Sequence, residues 1–332
     1  MTDTPDSESL APRAGTDWRR WVNRLGPLLA LLVVYGFFAA QAPRMISLVA
    51  LETITIQTVI VGTAAVGMTL VIIAGGIDLS VGSMIAFSSV AGAHLLAKMG
   101  VSPALSVAGA ILAGAACGLV NGLIITRAKV VPFIVTLGML LVVRGAAKGI
   151  AESAPINIDD PWIKGFLRSL APDERWKLLP PGGWIMILLA GLFWAMLRYT
   201  RLGRHTYAIG SNENTARLCG VPVERLKLWV YGLCGACAGI SGVMLLSRQA
   251  QGDPTGAVGY ELDVIASVVI GGGSLAGGEG SIFGSIVGAL IMTVIRTGCN
   301  LLGLQPWITQ VVTGAIIVIA VALDNLRHRR AT

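Results

Sequence analysis

The sequence is poor in charge. Only 13% of its 332 residues are Asp, Glu, Lys or Arg, whereas 54% are hydrophobic, and the mean hydropathy is +0.74. A soluble domain carries roughly 25% charged residues and 45–50% apolar residues. The scarcity of charge therefore excludes an ordinary soluble protein and indicates a helical protein that crosses the membrane several times. The apolar runs are continuous rather than alternating, which argues against a membrane β-barrel.

Motifs for nucleotide binding and catalysis are also missing. No Gly-Lys dipeptide occurs, so the chain lacks the G-x-x-x-x-G-K-[ST] loop that holds the phosphates of ATP. His94, His205 and His328 are scattered, and neither an H-E-x-x-H nor a G-x-S-x-G motif is present. We therefore expect no catalytic residue, no metal site and no cofactor on this chain.

The cysteines and the net charge give little indication of a partner. Cys234 and Cys237 form a C-x-x-C spacing, but no second ligand pair accompanies it, so we interpret them as packing residues in a helix. The net charge is +7, yet the basic residues lie beside apolar runs. This distribution indicates that the basic residues set the membrane topology rather than bind nucleic acid.

The apolar residues form about ten runs of membrane-spanning character, since a helix needs about 20 residues to cross a bilayer. The fold class predicted from them is an all-α polytopic membrane protein. The candidate spans lie at approximately 26–42, 48–74, 79–98, 104–126, 132–151, 183–199, 228–247, 260–275, 281–298 and 305–323.

The distribution of Lys and Arg predicts the orientation of these spans. Basic residues concentrate in the tail 1–24, at the junction 127–129, in the loop 200–227 and in the tail 327–332. With ten spans in the domain 25–326, all four places fall on one side, so the positive-inside rule puts both termini in the cytoplasm. The proline-rich loop 152–182 then lies in the periplasm, although it also holds four basic residues.

The loop 200–227 carries start and stop signals of a short helix outside the membrane. Ser211 or Asn212 can cap such a helix, and Glu213 suits its first turn. Gly220 suits the position just past its end, and Pro222 follows as a stop. Two interpretations stay open, namely a docking helix for a cytoplasmic partner and an ordinary basic loop that only fixes topology.

Two glycine-rich breaks separate apolar runs, "AGGIDLSVG" at 74–82 and "IGGGSLAGGEGSIFG" at 270–284. Their likeness fits a transporter of two related, inverted halves, 48–151 and 228–323, whose broken helices face a solute path. We expect the acid of the second break, Glu279, to be exposed. The polar or glycine residues that we consider candidates for the pathway or for a broken helix are Gly75, Gly76, Asp78, Ser80, Asn121 and Thr136.

Asp78 is the acid of the first break, and three roles are open for it. It can cap the helix that follows, since Asp accepts hydrogen bonds from N–H groups at a helix start. It can contact a solute directly. It can also contact a neighbouring helix or subunit, and these roles are compatible with one another.

Four segments together resemble the permease family of bacterial ABC importers for ribose and other monosaccharides. The resemblance covers about 50–323, nearly the whole chain, in the order of the family. The segments are "GMTLVIIAGGIDLSVGSMIAFSSV", "GLVNGLIITRAKVVPFIVTLGMLLVVRGAA", "GRHTYAIGSNENTARLCGVPVERLKLWVY" and "VIASVVIGGGSLAGGEGSIFGSIVGALIM".

The resemblance implies the fold, the partners and the function. The fold would be similar to the type II importer fold, with about ten helices, and two permease copies would form a homodimer in the inner membrane. A cytoplasmic ABC ATPase would hold ATP–Mg, and a periplasmic binding protein would deliver a monosaccharide or polyol such as ribose, xylose, galactose or myo-inositol. The ATPase-coupling residues that it implies are Gly210, Asn212, Glu213, Ala216, Gly220 and Val221.

Two other functions are compatible with parts of the sequence. A branched-chain amino-acid permease of a related family would need charged or helix-end partners for a zwitterion, and the sugar-type segments disfavour it. A membrane-embedded enzyme is disfavoured because no catalytic constellation is present. A non-transporting scaffold is disfavoured because the loop 200–227 carries the start and stop signals of a helix.

Overall fold

A computed structural model describes residues 18–170 and 172–329, and the described residues are mostly helical. The α-helices are α1 Trp18–Gln41, α2 Leu48–Ile73, α3 Val81–Ala97, α4 Pro103–Arg127, α5 Pro132–Ile150, α6 Pro161–Lys164, α7 Pro181–Tyr199, α8 Arg201–Ser211, α9 Glu213–Leu218, α10 Val223–Gln249, α11 Tyr260–Ile270, α12 Ile282–Leu301 and α13 Pro306–Arg329. Short 3₁₀ helices lie at Pro43–Ile46 and Pro172–Lys177. Strand β1, Ile156–Asn157, pairs antiparallel with β2, Gln251–Gly252.

Every predicted span overlaps a helix, and the prediction of an all-α polytopic membrane protein is confirmed. Among the described residues, six helices are long and apolar enough to cross a membrane, namely α2, α4, α5, α7, α10 and α12. The prediction of a full span over 260–275 is wrong, because α11 has 11 residues and is only about 16 Å long. The chain before residue 18 lies outside the described residues, and α1 begins at Trp18, inside the predicted tail.

The centre of the bundle is built from α2 and α10. In their most apolar windows, 94% of α2 and 83% of α10 is buried inside the chain. The backbones of α4 and α10 are in direct contact, since a Cβ on Gly118 would lie 2.1 Å from the carbonyl oxygen of Tyr231. Likewise, a Cβ on Gly235 would lie 2.3 Å from the carbonyl oxygen of Gly114. Small residues of this kind let membrane helices pack closely.

The outside of the bundle is apolar. Leu105 and Leu112 of α4 and Leu188 of α7 are 65%, 67% and 73% exposed in the single chain. Apolar side chains that point outward along whole helices are expected where lipid or a second chain covers them.

The bundle has two polar ends. One end, here called the hairpin end, carries β1, β2 and α6. The other end carries α8 and α9 together with the connections 74–80, 128–131 and 271–281, and it is called the α8–α9 end.

Candidate functional site: the glycine breaks and the α8–α9 segment

The first glycine break is a tight turn between α2 and α3. Helix α2 ends in a Schellman motif, in which Gly75 has a φ of +77°. The N–H of Gly76 donates to the carbonyl of Val71 at 2.8 Å, and that of Gly75 to the carbonyl of Ile72 at 2.9 Å. Glycine suits this position because a positive φ is costly for other residues.

The second glycine break begins in the same way. Gly272 has a φ of +93°, and its N–H donates to the carbonyl of Val269 at 2.9 Å. The N–H of Gly273 donates to the carbonyl of Val268 at 2.8 Å, which completes a Schellman motif at the end of α11. The likeness of the two breaks in sequence therefore corresponds to the same local backbone geometry. Glu279 of this break is exposed, as predicted.

The two breaks meet each other and α8 at one point of the structure. The N–H of Gly278 donates to the carbonyl of Ile73 at 2.9 Å. A Cβ on Gly210 would lie 1.7 Å from that same carbonyl oxygen and 2.4 Å from the nitrogen of Gly278. A Cβ on Gly277 would lie 2.9 Å from the Cα of Gly75. We call this contact between Ile73, Gly210 and Gly278 the glycine junction.

Asp78 lies inside the first break and is fully buried. Its Oδ1 accepts hydrogen bonds from the backbone N–H of Ser80 at 2.9 Å and from the Ser80 hydroxyl at 2.5 Å. The prediction that Asp78 caps α3 is wrong in detail, because Ser80 occupies the N-cap position. The carboxylate instead closes an Asx turn that holds Ser80 in place.

Asn121 of α4 and Thr136 of α5 complete this network. The Asn121 amide lies 2.9 Å from the Ser80 hydroxyl and 3.4 Å from both oxygens of Asp78. The Thr136 hydroxyl donates to the carbonyl of Ile77 at 3.2 Å. The contact of Asp78 with a neighbouring helix is therefore present, and the network ties the break to α4 and α5.

The network lies inside the protein rather than along an open channel. Asp78, Ser80, Asn121 and Thr136 all have 0% exposure. Gly76 packs against the hydroxyl group of Tyr231, since a Cβ on Gly76 would lie 2.5 Å from the Tyr231 hydroxyl oxygen. Sequence analysis missed this tyrosine, which sits in the apolar run of α10 and becomes a neighbour of the break only through tertiary packing.

The loop between α7 and α10 holds two helices where the sequence predicted one. Asn212 caps α9, as predicted, and its Oδ1 accepts from the N–H of Thr215 at 2.9 Å. Gly220 ends α9 with a φ of +80°, also as predicted. The N–H of Gly220 donates to the carbonyl of Arg217, and the N–H of Val221 donates to the carbonyl of Ala216, both at 3.0 Å. Helix α9 therefore ends in a third Schellman motif.

Ion pairs fix α9 to the start of α10. Glu213 accepts from Lys227 at 2.6 Å and from Arg217 at 3.4 Å. Arg217 also pairs with Glu224 and holds the pKa of that carboxyl below its usual range. Next to these pairs, a cleft of about 520 Å³ opens between α9 and the connection of α4 with α5, which supplies Lys129 and Val131.

The six predicted coupling residues do not all face outward. Asn212 and Gly220 are exposed, and Glu213 and Val221 are half-buried. Ala216 is buried, and Gly210 faces the glycine junction instead. Leu218, which sequence analysis missed, is 88% exposed at the end of α9. A single exposed leucine is common on protein surfaces, so no signal in the sequence distinguished Leu218.

Comparisons with known proteins agree on the type of protein. The family described as "Branched-chain amino acid transport system / permease component" matches residues 50–321. The ribose import permease protein of Escherichia coli (strain K12) is 38% identical to this chain, over 93% of this chain and 96% of the relative. The fructose import permease protein of Rhizobium meliloti is 36% identical, over 90% and 84% of the two chains.

A further relative is the L-arabinose ABC transporter permease protein of Azospirillum brasilense. It is 34% identical, over 98% of this chain and 95% of the relative. No solved structure matches the chain. The match of the family to most of the chain, together with these relatives, confirms the resemblance to permeases of ABC importers. The chain therefore belongs to the family of branched-chain amino acid transport system permease components and is a multi-pass transport permease.

Proposed function

We propose that this chain is the membrane-spanning subunit of an ATP-driven importer that translocates a monosaccharide or polyol. The observation that carries the proposal is the similarity to ribose, arabinose and fructose permeases at 34–38% identity over at least 90% of the chain. The sequence contains no Gly-Lys dipeptide and therefore lacks the G-x-x-x-x-G-K-[ST] loop that holds the phosphates of ATP. This supports the proposal that ATP–Mg binds a separate ATPase chain.

The proposed partner at the α8–α9 end is the cytoplasmic ABC ATPase. Helix α9 supports this docking because it is held rigidly by its caps and ion pairs, while Leu218 stands 88% exposed at its tip. The cleft beside it offers Lys129 and Val131 to the same partner. Both termini are proposed to lie on this cytoplasmic side of the inner membrane.

The proposed partners at the other end and along the bundle are a periplasmic binding protein and a second copy of the chain. The hairpin end offers the loops of β1, β2 and α6 to the binding protein. The apolar exposed helices offer a surface for the second copy and for lipid. The inverted arrangement of the halves 48–151 and 228–323 is part of this proposal, as are ten crossings of the membrane, one of which includes the short helix α11.

The proposed mechanism is alternating access driven through the glycine junction. Closure of the ATPase would displace α9 and α8, and Gly210 would pass this displacement directly to Ile73 and Gly278 because the backbones touch. Both glycine breaks would then move together. Packed interfaces switch between discrete arrangements rather than deform continuously, which suits a two-state transporter.

We propose a supporting role for the Asp78 network in this mechanism. Its hydrogen bonds join the turn after α2 to α4 and α5, so a movement of the turn would carry those helices with it. Gly75, Gly76, Asp78, Ser80, Asn121 and Thr136 would then act by positioning the pathway helices, rather than by lining an open channel in this conformation.

A transport experiment tests the proposed function. The chain is co-purified with its ATPase and binding protein, reconstituted into liposomes, and supplied with labelled ribose, xylose, galactose, arabinose, fructose, myo-inositol or leucine. We expect ATP-dependent uptake of at least one sugar or polyol. Uptake of leucine alone would support the branched-chain amino-acid alternative, which the description of the matching family keeps open. ATP hydrolysis by the purified chain without its partner would contradict the proposal.

A further inference from the structure

The segment between β2 and α11 runs back into the bundle instead of staying at the hairpin end. Gly252 of β2 lies against α3 near Ser89, since a Cβ there would lie 2.8 Å from the Ser89 carbonyl oxygen. Further along the segment, Ala257 and Glu261 lie against Gly82 at the start of α3. Seven residues of α3 separate Ser89 from Gly82, which corresponds to about 10 Å. We call residues 253–259 the re-entrant loop.

The re-entrant loop reaches the middle of a membrane-spanning helix. The hydroxyl of Ser83, next to Gly82, donates to the carbonyl of Leu140 at 2.8 Å. Leu140 is the ninth of the 19 residues of α5, which is long and apolar enough to cross a membrane. The middle of α5 lies about 14 Å from either end. The loop and the N-terminus of α11 therefore lie at the depth of the hydrocarbon core.

Two charged side chains flank the re-entrant loop at this depth. Arg144 of α5 donates through Nη1 to the carbonyls of Pro254 at 3.1 Å and Gly256 at 2.6 Å. Glu261 accepts through Oε1 from the N–H of Gly259 at 3.3 Å. Its Oε2 is buried and has no hydrogen-bond partner among the described residues. Glu261 and Asp253, the first residue of the loop, both lie within electrostatic reach of Arg144 and offset its positive charge.

The same loop is open on its other side. Val258 is 68% exposed and Thr255 is also exposed, as are Leu262 of α11 and Leu141 of α5. Non-helical backbone at membrane depth is not stable against lipid and occurs only inside protein or along a water-filled cavity. Ionisable side chains at this depth likewise face a bundle interior or a cavity. This face is therefore not a lipid face.

We propose that Arg144 and the re-entrant loop line the solute passage and contact a neutral, polyhydroxylated solute there, while Glu261 lies beside them. This inference rests on the proposed function. In the described part of the chain, Arg144 uses only Nη1 in hydrogen bonds, so Nε and Nη2 are free to donate to solute oxygens. Glu261 and Asp253 offset the positive charge, which favours a neutral solute over an anion. The solute site is then separate from the buried Asp78 network.

Cysteine accessibility in the complete transporter tests this location. Cys219, which is exposed, is first replaced by Ser, and Val258→Cys is introduced on that background. The matched control is Leu188→Cys on α7, which is 73% exposed on the outside of the bundle. The vesicles contain ATPase and binding protein, and the probe is a membrane-impermeant, positively charged methanethiosulfonate. We expect Val258→Cys to react, the control not to react, and the transported sugar to slow the reaction several-fold.

The role of Arg144 is tested by the same protection assay. Arg144→Gln on the Val258→Cys background should raise the sugar concentration that gives half-protection about tenfold, which corresponds to about 1.4 kcal/mol. Arg144→Lys keeps the charge and should give a smaller rise. If Arg144→Gln abolishes assembly, the test rests on Arg144→Lys, in which an unchanged sugar concentration for half-protection would contradict the role of Arg144.

The outcomes separate this inference from the function itself. If the unmodified transporter moves a sugar but Val258→Cys is as unreactive as the control, this face is a dry interface and the inference is overturned. Reaction without protection by the sugar would also overturn it. If no sugar or polyol is transported at all, the proposed function fails first.

Discussion

A methyl group at Gly210 should separate ATP hydrolysis from transport. In Gly210→Ala the new Cβ would lie 1.7 Å from the carbonyl oxygen of Ile73 and 2.4 Å from the nitrogen of Gly278. Real Cβ contacts under 3.0 Å essentially never occur, so α8 and the end of α2 must separate by about 1.3 Å. Both obstructing atoms belong to backbone, so no side-chain rotation can relieve the contact.

The energetic cost of this separation is that of overpacking. Insertion of a methyl group into a well-packed site typically costs about 1–3 kcal/mol. In addition, the N–H of Gly278 donates to the same Ile73 carbonyl at 2.9 Å, so the separation weakens the hydrogen bond between the two breaks. We expect the protein to insert and assemble, because the packing of α2, α4 and α10 on one another is unchanged, but to transmit the movement of α8 poorly.

The assay compares two rates in reconstituted vesicles. Gly210→Ala should lower the number of sugar molecules transported per ATP hydrolysed at least several-fold, while the ATPase still co-purifies with the chain. Gly191→Ala in α7 is the matched control, since a Cβ there meets nothing within 4 Å. Equal coupling ratios in Gly210→Ala, in the control and in the unmodified chain would refute the transmission through the glycine junction.

Three further predictions concern the two sites. Glu213→Lys should reverse the charge that holds α9 and should reduce co-purification of the ATPase, as measured by pull-down, and normal uptake would argue against docking at α9. Asp78→Leu leaves buried donors unpaired, each at about 1–3 kcal/mol, and should lower the thermal unfolding temperature in detergent, whereas Asp78→Asn keeps an acceptor and should lower it less. Equal unfolding temperatures would contradict this role. Arg217 lowers the pKa of Glu224, so their pair stabilises α9 at neutral pH and is lost as the pH falls through that lowered pKa. Limited proteolysis of α9 should therefore accelerate on acidification, and Glu224→Gln should reduce this pH dependence.

Local signals in the sequence predicted the ends of helices well. Asn212 and Gly220 bracket α9 as expected, because capping depends on a few adjacent residues. The same holds for Gly75, whose positive φ ends α2. At Asp78 local reasoning chose the wrong partner, because Asp-Leu-Ser allows both a helix cap and an Asx turn, and the sequence alone does not decide between them.

Tertiary features were less predictable. Apart from Glu261 and Asp263 in its first turn, the run 260–275 is largely apolar, so its composition does not reveal that α11 begins at mid-depth after a re-entrant loop. Gly210 was expected to face the ATPase, yet it packs against Ile73, because the approach of two distant backbone segments leaves no trace in either one alone. Tyr231 became a neighbour of the Asp78 network for the same reason.

Because α4 packs closely on α10, the two helices can move only together, as one rigid body. No side chain separates the two backbones at Gly114, Gly118 and Gly235, so the helices cannot slide or bend independently without breaking many contacts. Helix α10 has 27 residues and is about 40 Å long. A rigid tilt of about 5° at the α8–α9 end would therefore move the far end by about 3.5 Å. That far end leads directly into β2 and the re-entrant loop, so a small rotation at the α8–α9 end would produce a larger displacement at the hairpin end.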